Sequence, residues 1–344
     1  MRLVASNVAM AGSARSRAGV LISGFARSRE LTLAAVMIVL SALVATQTPN
    51  FLSLDNLGPV MTLGAIIAIA AVGESLVILT KNIDLSVEST IGIVAFVVGD
   101  ILKQQALPIP AAWAFGIGLG LVLGMANGVI VAIFRVPSIV ATLGTLSLFR
   151  GLAFLVANGH EINLNDLPDG YTNAASQSVF GVPLFVILAI AVVVVAALVL
   201  RYTVVGRLFY AVGSNAEAAA TIGVRSRLTV FLAFALCGML AGVAGVLWGM
   251  NFGAIYANSA SGQSLAVIAA VVVGGVSISG GSGTVVGAAL GAVFLALINN
   301  ALLLLLLPQE WLQMIYGAVI LLAVSTDALI QVRTQRAKAR SRIR

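Results

Sequence analysis

The stretch that decides the fold is residues 205–224, which read VGRLFYAVGSNAEAAATIGV. Ser214 and Glu217 have the spacing of a capping box, residues 216–222 are rich in alanine, and Gly223 stands where a left-handed C-terminal cap belongs. Isolated helices shorter than about 12–15 residues are marginal in water, so this helix of about two turns needs a surface on which to dock. Because apolar stretches flank it on both sides, we predict that it lies in the cytoplasm between two membrane spans and docks on another polypeptide.

The composition indicates a polytopic membrane protein. Hydrophobic residues make up 60% of the 344 residues, charged residues make up 9%, and the mean hydropathy is +1.10. A soluble globular domain has a far more balanced composition. The net charge of +7 does not indicate nucleic-acid binding, because the basic residues cluster at the ends of apolar stretches, where they set topology. The single cysteine, Cys237, and the single histidine, His160, cannot form a metal cluster, so no cofactor is expected.

The pattern of apolar stretches predicts an all-α membrane protein with about ten transmembrane helices. The predicted spans are residues 31–46, 57–79, 88–102, 111–134, 138–157, 181–200, 228–250, 264–279, 284–307 and 311–330. The first stretch is short for a span and could be a signal-peptide core. No small-x-small cleavage site follows it before Pro49, so we favour a retained first span.

The basic residues predict the orientation of the chain. With both termini in the cytoplasm, every Lys and Arg except Lys103 and Arg150 lies on the cytoplasmic side. The loop at residues 158–180, on the other side, has neither Lys nor Arg and carries Glu161, Asp166 and Asp169. The predicted domains are a basic cytoplasmic tail at 1–30, a transmembrane domain at 31–330 with a cytoplasmic loop at 201–227, and a second basic tail at 331–344.

Two polar interruptions predict helix breaks at matching places in two halves of the chain. Residues 80–89 and 274–283 each follow an apolar run and align without gaps. Such breaks point to an internal repeat around a transport site, although ordinary cytoplasmic turns between spans would have a similar sequence. The candidate hinge residues are Asp84, Ser86, Gly274, Gly275, Gly280 and Gly281.

Polar groups within the spans are candidate residues of a translocation pathway. A charged side chain at membrane depth costs at least about 2.5 kcal/mol on insertion scales and therefore tends to be functional. Glu74 and Arg150 could pair with each other or face an aqueous path, but Glu74 could also snorkel to the cytoplasmic interface and Arg150 could make a structural pair. Neutral polar groups could bond between helices or contact a solute. They are Asn127, Asn299 and Asn300.

The sequence lacks the motifs of an enzyme. No lysine follows a glycine-rich turn in a Gly-Lys-Ser or Gly-Lys-Thr context, so the chain is not expected to hydrolyse nucleotide itself. Protease and hydrolase motifs are also lacking. A proton relay would depend almost entirely on Glu74. An importer driven by a separate ATPase is therefore favoured over a proton-coupled carrier, which remains an alternative.

Four stretches resemble the permease subunits of bacterial ABC importers for ribose and related sugars. The stretches are residues 83–87, 135–146 with Arg150 and Gly151, 206–224, and 274–283, and the resemblance covers about residues 50–325. Three places depart from the family's pattern. Lys81 and Asn82 replace a usual Gly-Gly, Glu88 replaces a usual Gly, and Ala216 replaces a common Pro. These departures make the chain more similar to the rhamnose and quorum-signal autoinducer branches.

The resemblance implies a bacterial inner-membrane importer. It implies that residues 206–224 form a coupling helix seated in a groove of an ATPase subunit, that two identical or homologous permease subunits surround one pathway, and that a periplasmic binding protein delivers a sugar-like solute. Contacts with lipid and none with nucleic acid are expected. Sister importers for branched-chain amino acids or nucleosides share the architecture and remain alternatives. The candidate coupling residues are Gly206, Arg207, Gly213, Ser214, Asn215, Glu217, Ala218, Ala219 and Gly223.

Overall fold

The computed structural model describes residues 29–322, 324 and 325, and most of these residues are helical. The helices are α1 Arg29–Gln47, α2 Leu54–Leu79, α3 Val87–Lys103, α4 Ile109–Gly128, α5 Ser138–Ala157, α6 Asp169–Thr172, α7 Leu184–Tyr202, α8 Val204–Ser214, α9 Ala216–Thr221, α10 Ser226–Phe252, α11 Gln263–Val273, α12 Val285–Leu304 and α13 Glu310–Leu322. An antiparallel hairpin, β1 Ser178–Val179 and β2 Val182–Pro183, lies between α6 and α7. The basic tails predicted at 1–30 and 331–344 lie outside the described residues, apart from residues 29 and 30.

Seven of the described helices are long and apolar enough to cross a membrane, which confirms the prediction of an all-α polytopic membrane protein. They are α1, α2, α4 with its one-turn extension to Ile133, α5, α7, α10 and α12. The other three predicted spans correspond to the shorter helices α3, α11 and α13, so the total of ten spans stays a prediction. The span predicted at 264–279 is wrong beyond Val273, because Gly274 and Gly275 end the helix and Gly275 has a φ of 89°.

The centre of the bundle is α2. Its residues from Gly64 to Leu79 are all buried, and it lies between α10 and α12. α10 also packs against α3 and α4. The close packing of α4 on α10 depends on glycine: a Cβ added to Gly124 would lie 2.8 Å from the Cα of Gly238. Gly116, Gly120, Gly124 and Gly128 repeat every four residues along α4, and this spacing lets the two helix backbones approach closely.

The turns between helices collect at two ends of the bundle. One end, which we call the basic end, contains the turns at 80–86, 134–137, 203–225 and 274–284. There the backbone N–H of Gly281 donates a hydrogen bond of 3.0 Å to the carbonyl of Leu79. The other end, which we call the opposite end, contains the loop at 158–183, and Lys103 there forms an ion pair of 2.9 Å with Asp166. Each end thus joins segments that are distant in the sequence.

Candidate functional site

The segment between α7 and α10 consists of two helices that lie at the basic end. We call residues 203–225 the interhelical segment. Its first helix, α8, is amphipathic and buries Gly206, Phe209, Val212 and Gly213, while its second helix, α9, is exposed except at Ala219. α8 docks on the helix bundle of its own chain, whereas α9 presents most of its surface to solvent. The surface predicted to need a partner is therefore confined to α9 and its flanks.

The N-terminal cap of α9 differs from the prediction. The cap is Asn215, whose side chain accepts a hydrogen bond of 3.0 Å from the backbone N–H of Ala218. Ser214 is the last residue of α8, so the predicted capping box of Ser214 and Glu217 is wrong. The break between the two helices falls at Asn215 because its backbone is extended, with φ of −159°. Gly223 has a φ of 84°, as expected for a left-handed C-terminal cap.

α8 lies on the place where the two predicted helix breaks meet. A Cβ added to Gly213 would collide with the carbonyl of Leu79 and would lie 2.6 Å from the backbone nitrogen of Gly281. The hydroxyl of Tyr210 donates a hydrogen bond of 3.1 Å to the carbonyl of Gly283. α8 therefore contacts the break after α2 and the break after α11 together, and Gly213 is at the point where only a glycine fits.

A cleft of about 610 Å³ opens beside this junction. Its lining contains both charged and small residues, including Lys81, Ala132, Asn215, Glu217 and Arg227. Among the predicted coupling residues, Arg207, Ser214, Glu217 and Ala218 are exposed, and Gly206, Gly213 and Ala219 are buried. The structure thus divides these residues into a buried group that holds the interhelical segment on the bundle and an exposed group.

The break after α2 is exposed at Lys81 but turns into the bundle at Asp84 and Ser86, so it is not an ordinary surface turn. The Asp84 and Ser86 side chains are buried, and the Asp84 carboxylate accepts hydrogen bonds from the backbone N–H of Ser86 at 2.9 Å and from its hydroxyl at 2.7 Å. The Glu74 carboxylate accepts a hydrogen bond of 3.0 Å from the backbone N–H of Asp84. Since Glu74 lies five residues before the end of α2, the break folds back into the bundle by about 7.5 Å.

Both breaks contain residues with a positive φ, the backbone conformation that glycine favours. Lys81 stands where the resembled family has glycine, yet it has a φ of 66°, in the left-handed region that glycine favours. In the second break Gly275, Gly280 and Gly281 have φ of 89°, 80° and 69°. Three of the predicted hinge residues, Gly275, Gly280 and Gly281, therefore lie at sharp backbone turns, whereas Ser86 and Gly274 have right-handed helical backbone angles. The internal repeat stays a prediction.

The pathway residues predicted within the spans do not form one cluster. Glu74 is fully buried, so it does not snorkel to the interface, and it does not pair with Arg150. Instead, Arg150 pairs with Glu88 at 3.4 Å. Glu74 bonds to the backbone N–H of Asp84 and to the thiol of Cys237 in place of Arg150. Asn127 bonds across helices to the hydroxyl of Ser86 at 2.7 Å, which is the packing use left open for it.

The two remaining predicted pathway residues lie toward the opposite end of α12. Asn300 exchanges two side-chain hydrogen bonds of 2.9 Å with Asn56 of α2, so it joins two helices. The side-chain oxygen of Asn299 is buried and has no hydrogen-bond partner among the described residues. Neither side chain forms a hydrogen bond with Arg150 or with a residue of the two breaks. Their role in a pathway stays a prediction.

Sequence reasoning missed Glu88 as a site residue, together with the connection that it holds. Glu88 accepts hydrogen bonds from the backbone N–H of Gly262 at 2.9 Å and from the hydroxyl of Ser264 at 2.9 Å, and so caps the start of α11. Two signals could have identified this site. One was the departure from glycine at position 88, and the other was the polar composition of residues 256–264 between two apolar runs.

Comparison with known proteins identifies the family. The sequence model of the family described as branched-chain amino acid transport system / permease component matches residues 56–324. The autoinducer 2 import system permease protein LsrC of Enterobacter sp. (strain 638) is 37% identical over 319 residues, which are 92% of each chain. The LsrC protein of Salmonella typhi is 36% identical over 309 residues, 90% of this chain and 88% of that one. The LsrC protein of Escherichia coli O9:H4 is 37% identical over 309 residues, 90% of each chain. No solved structure matches the chain.

These matches confirm the resemblance drawn from the four sequence stretches, including its autoinducer branch. The relatives are permease proteins by name, in agreement with the prediction of a transport subunit that is not an enzyme. The family match covers most of the chain, and the described helices include seven of spanning length. The chain belongs to the family of branched-chain amino acid transport system permease components and is a multi-pass protein of the bacterial inner membrane.

Proposed function

We propose that the chain is the permease subunit of an ATP-driven importer and forms half of a dimeric pathway for a small, sugar-like solute. Autoinducer 2 is the first candidate, because the curated relatives are named for its import. In this proposal a separate ATPase binds the exposed part of the interhelical segment, and a periplasmic binding protein delivers the solute at the opposite end. The second permease in this proposal is an identical or a homologous chain.

The contact of α8 with both helix breaks is the observation that supports this proposal most. α9 exposes Glu217 and Ala218 to solvent, while α8 seats Gly213 against Leu79 and Gly281. A force applied to α9 by a partner therefore reaches the ends of α2 and α11 through direct contacts. An ATPase that closes on this segment has a mechanical route into the bundle.

A carrier that works without an ATPase is less well supported. Its proton relay would need Glu74, and the side-chain partners of Glu74 among the described residues are the N–H of Asp84 and the thiol of Cys237, both buried. An amino acid substrate is suggested by the family's description, but the relatives of similar length are named for autoinducer 2. We therefore propose a sugar-like solute in preference to an amino acid or a nucleoside.

Reconstitution tests the proposal. The chain is purified in mild detergent with every subunit that accompanies it, reconstituted in liposomes with ATP available to the ATPase, and assayed for uptake of autoinducer 2. We expect Glu217→Lys to abolish ATP-driven uptake while the protein stays in the membrane, because Glu217 is on the exposed face of α9. Glu217→Asp, which keeps the negative charge at this position, is the control and should retain ATP-driven uptake.

Two results would count against the proposal. Uptake by the Glu217→Lys variant at the normal rate would remove the role given to the interhelical segment. Uptake by the chain alone, driven by a proton gradient and indifferent to ATP, would establish the carrier, and in that case Glu74→Gln would be the damaging substitution.

A further inference from the structure

The connection between α10 and α11, residues 253–262, descends into the bundle from the opposite end. At its start Ile255 pairs with Ile162 of the loop at 158–183 and lies beside Gly99 of α3. Further along, the carbonyl of Ser259 lies against Gly92, and at the end the N–H of Gly262 bonds to Glu88. Gly99, Gly92 and Glu88 follow one another along α3. At 1.5 Å per residue, the connection descends by about 16 Å, roughly half the thickness of a bilayer core.

An ion pair and its hydrogen bonds fix the connection at this depth. Arg150 of α5 donates hydrogen bonds to the carbonyl of Ser259 at 2.8 Å and to the carbonyl of Ala257 at 3.4 Å, and pairs with Glu88 at 3.4 Å. Glu88 in turn holds the N–H groups of Gly262 and Ser264. α3, α5 and the connection, which are distant in the sequence, thus meet at these two charged side chains. The Arg150 side chain is 14% exposed and the Glu88 side chain is 12% exposed.

The other side of the connection is polar and uncovered. Tyr256 is 45% exposed, and Asn258 and Ser261 are also exposed. The backbone N–H groups of Ala257 and Asn258 have no hydrogen-bond partner in the part of the chain that the structure describes. Lipid cannot satisfy such groups, and irregular backbone at membrane depth is tolerated only where it is buried in protein or lines a water-filled cavity.

The backbone here is also held in an uncommon conformation. Ala260 has a φ of 61° although it is not glycine, and it is only 4% exposed. A left-handed alanine costs about 1–3 kcal/mol and persists only where its surroundings impose it. The contacts of Glu88 and Arg150 on either side of Ala260 supply that constraint. We call the exposed side chains of Tyr256, Asn258 and Ser261 the polar face. Because the backbone around Ala260 is fixed, the polar face has one defined arrangement.

We propose that Tyr256, Asn258 and Ser261 line the aqueous pathway at mid-membrane and contact the transported solute, which is a small polyhydroxylated molecule. The ring of Tyr256 offers a flat face to a sugar-like ring, and the Asn258 amide and Ser261 hydroxyl offer donors and acceptors to its hydroxyl groups. Glu88 and Arg150 are positioning residues that hold this face. The proposal rests on the proposed function, since it needs a solute pathway.

The reactivity of introduced cysteines tests whether the polar face is exposed to water. Cys237 is the one cysteine of the sequence, so a Cys237→Ala chain provides a clean background. Asn258→Cys and Ser261→Cys are introduced singly, assembled into the full importer in lipid nanodiscs, and treated with a charged methanethiosulfonate reagent. Val195→Cys on the apolar exposed face of α7 is the lipid-facing control. We expect both polar-face cysteines to react and autoinducer 2 to slow their reaction at least fivefold, while the control stays unmodified.

Two outcomes overturn the proposal. If Asn258→Cys and Ser261→Cys resist the reagent as the control does, the face is covered by lipid or by a partner chain and lines no pathway. If they react but the solute gives no protection, the face is wet without contacting the solute.

Uptake kinetics separate this proposal from the proposed function. Asn258→Ala should raise the KM for uptake about tenfold and leave the maximal rate near the wild-type value, because it removes a solute contact and leaves the interhelical segment intact. Glu217→Lys should abolish uptake at every solute concentration. An unchanged KM in Asn258→Ala would contradict the solute contact even if the Glu217→Lys result supports the importer.

Discussion

Glu88 is the residue on which the mid-membrane network depends most. Its carboxylate meets Arg150 at 3.4 Å and caps α11 through Gly262 and Ser264. Glu88→Gln keeps the shape of the side chain but leaves the Arg150 charge without its anion, and breaking a buried pair on one side costs about 3–5 kcal/mol. We expect a value near the lower limit, about 3 kcal/mol, because both side chains are slightly exposed. It should appear as a lower midpoint of thermal unfolding in detergent.

The control for this substitution is Glu161→Gln, which removes an exposed carboxylate from the loop at the opposite end. Its midpoint should stay within the error of the wild-type value. Equal midpoints for Glu88→Gln and Glu161→Gln would show that the Glu88 charge contributes nothing to the folded state.

Asp166 makes the stability of the loop at the opposite end depend on pH. Its pKa is lowered, first by the hydrogen bond that the N–H of Asn163 donates at 3.0 Å and then by Lys103 at 2.9 Å. Because the folded state favours the carboxylate, this stabilisation is complete above the ordinary aspartate pKa of about 3.9 and is lost as the pH falls through the lower folded value. We expect hydrogen exchange in residues 163–167, corrected for intrinsic rates, to rise as the pH falls below about 4.

The Asp166→Asn variant removes the titrating group from this loop. It should show at about pH 5 the fast exchange that the wild-type chain shows only in acid, with little further change on acidification. Asp169→Asn, in the same loop, is the control and should keep the wild-type pH dependence. An acid-induced rise that survives in Asp166→Asn would assign the effect to another group.

Single residues also mark the limit of what could be predicted from the sequence. Glu74 and Arg150 stand out in apolar runs, so their importance is readable, but the partner that each one takes depends on where other segments return. Glu88 reaches Arg150 only because residues 253–262 descend beside α3. Ser214 and Asn215 are both residue types that cap helices well. Asn215 caps α9 because α8 continues through Ser214, and the end of α8 is set by its packing on the two breaks.

At the scale of elements, the stability of α9 shows whether Asn215 is its N-terminal cap. It has six residues, too few to be stable without its cap and its docking contacts. Asn215→Ala removes the acceptor of the Ala218 N–H, which costs about 1 kcal/mol, or roughly a fivefold change in an equilibrium constant. We expect hydrogen exchange at Ala218 to accelerate about fivefold in Asn215→Ala. Ser214→Ala should leave it unchanged, and the reverse result would restore the capping box predicted from sequence.

The elements were predictable to different degrees for physical reasons. Long apolar runs with glycine faces, such as α4 and α10, appear in the sequence because lipid and close packing both constrain their composition. α11 was predicted too long, since Val276 and Ile278 continue the apolar pattern beyond the glycines that end the helix. The descent of residues 253–262 could not be predicted, because it is imposed by contacts with α3 and α5 rather than by local sequence.

At the scale of the whole molecule, the interhelical segment and the polar face lie on one continuous set of contacts. α8 touches the break that precedes α3 and the break that follows α11. Glu88, in the first turn of α3, holds the N-terminal end of α11 at mid-membrane. A displacement of either break is therefore transmitted along α3 or α11 to the connection that carries Tyr256 and Asn258. This gives the proposed ATPase a physical route to the proposed solute contact.

This route requires the basic end to face the cytoplasm, where ATP is present. The positive-inside rule predicts that orientation, since the basic residues Lys81, Arg135, Arg201 and Arg227 all lie at that end. In a Cys237→Ala background, Asp169→Cys should react with an impermeant maleimide in intact spheroplasts, and Glu217→Cys should react only after the membrane is opened. Both positions are exposed, so a difference between them reports the side of the membrane and not burial. If Glu217→Cys reacts in intact spheroplasts and Asp169→Cys does not, no cytoplasmic ATPase can reach α9, and the coupling role falls together with the assignment of the opposite end to solute delivery.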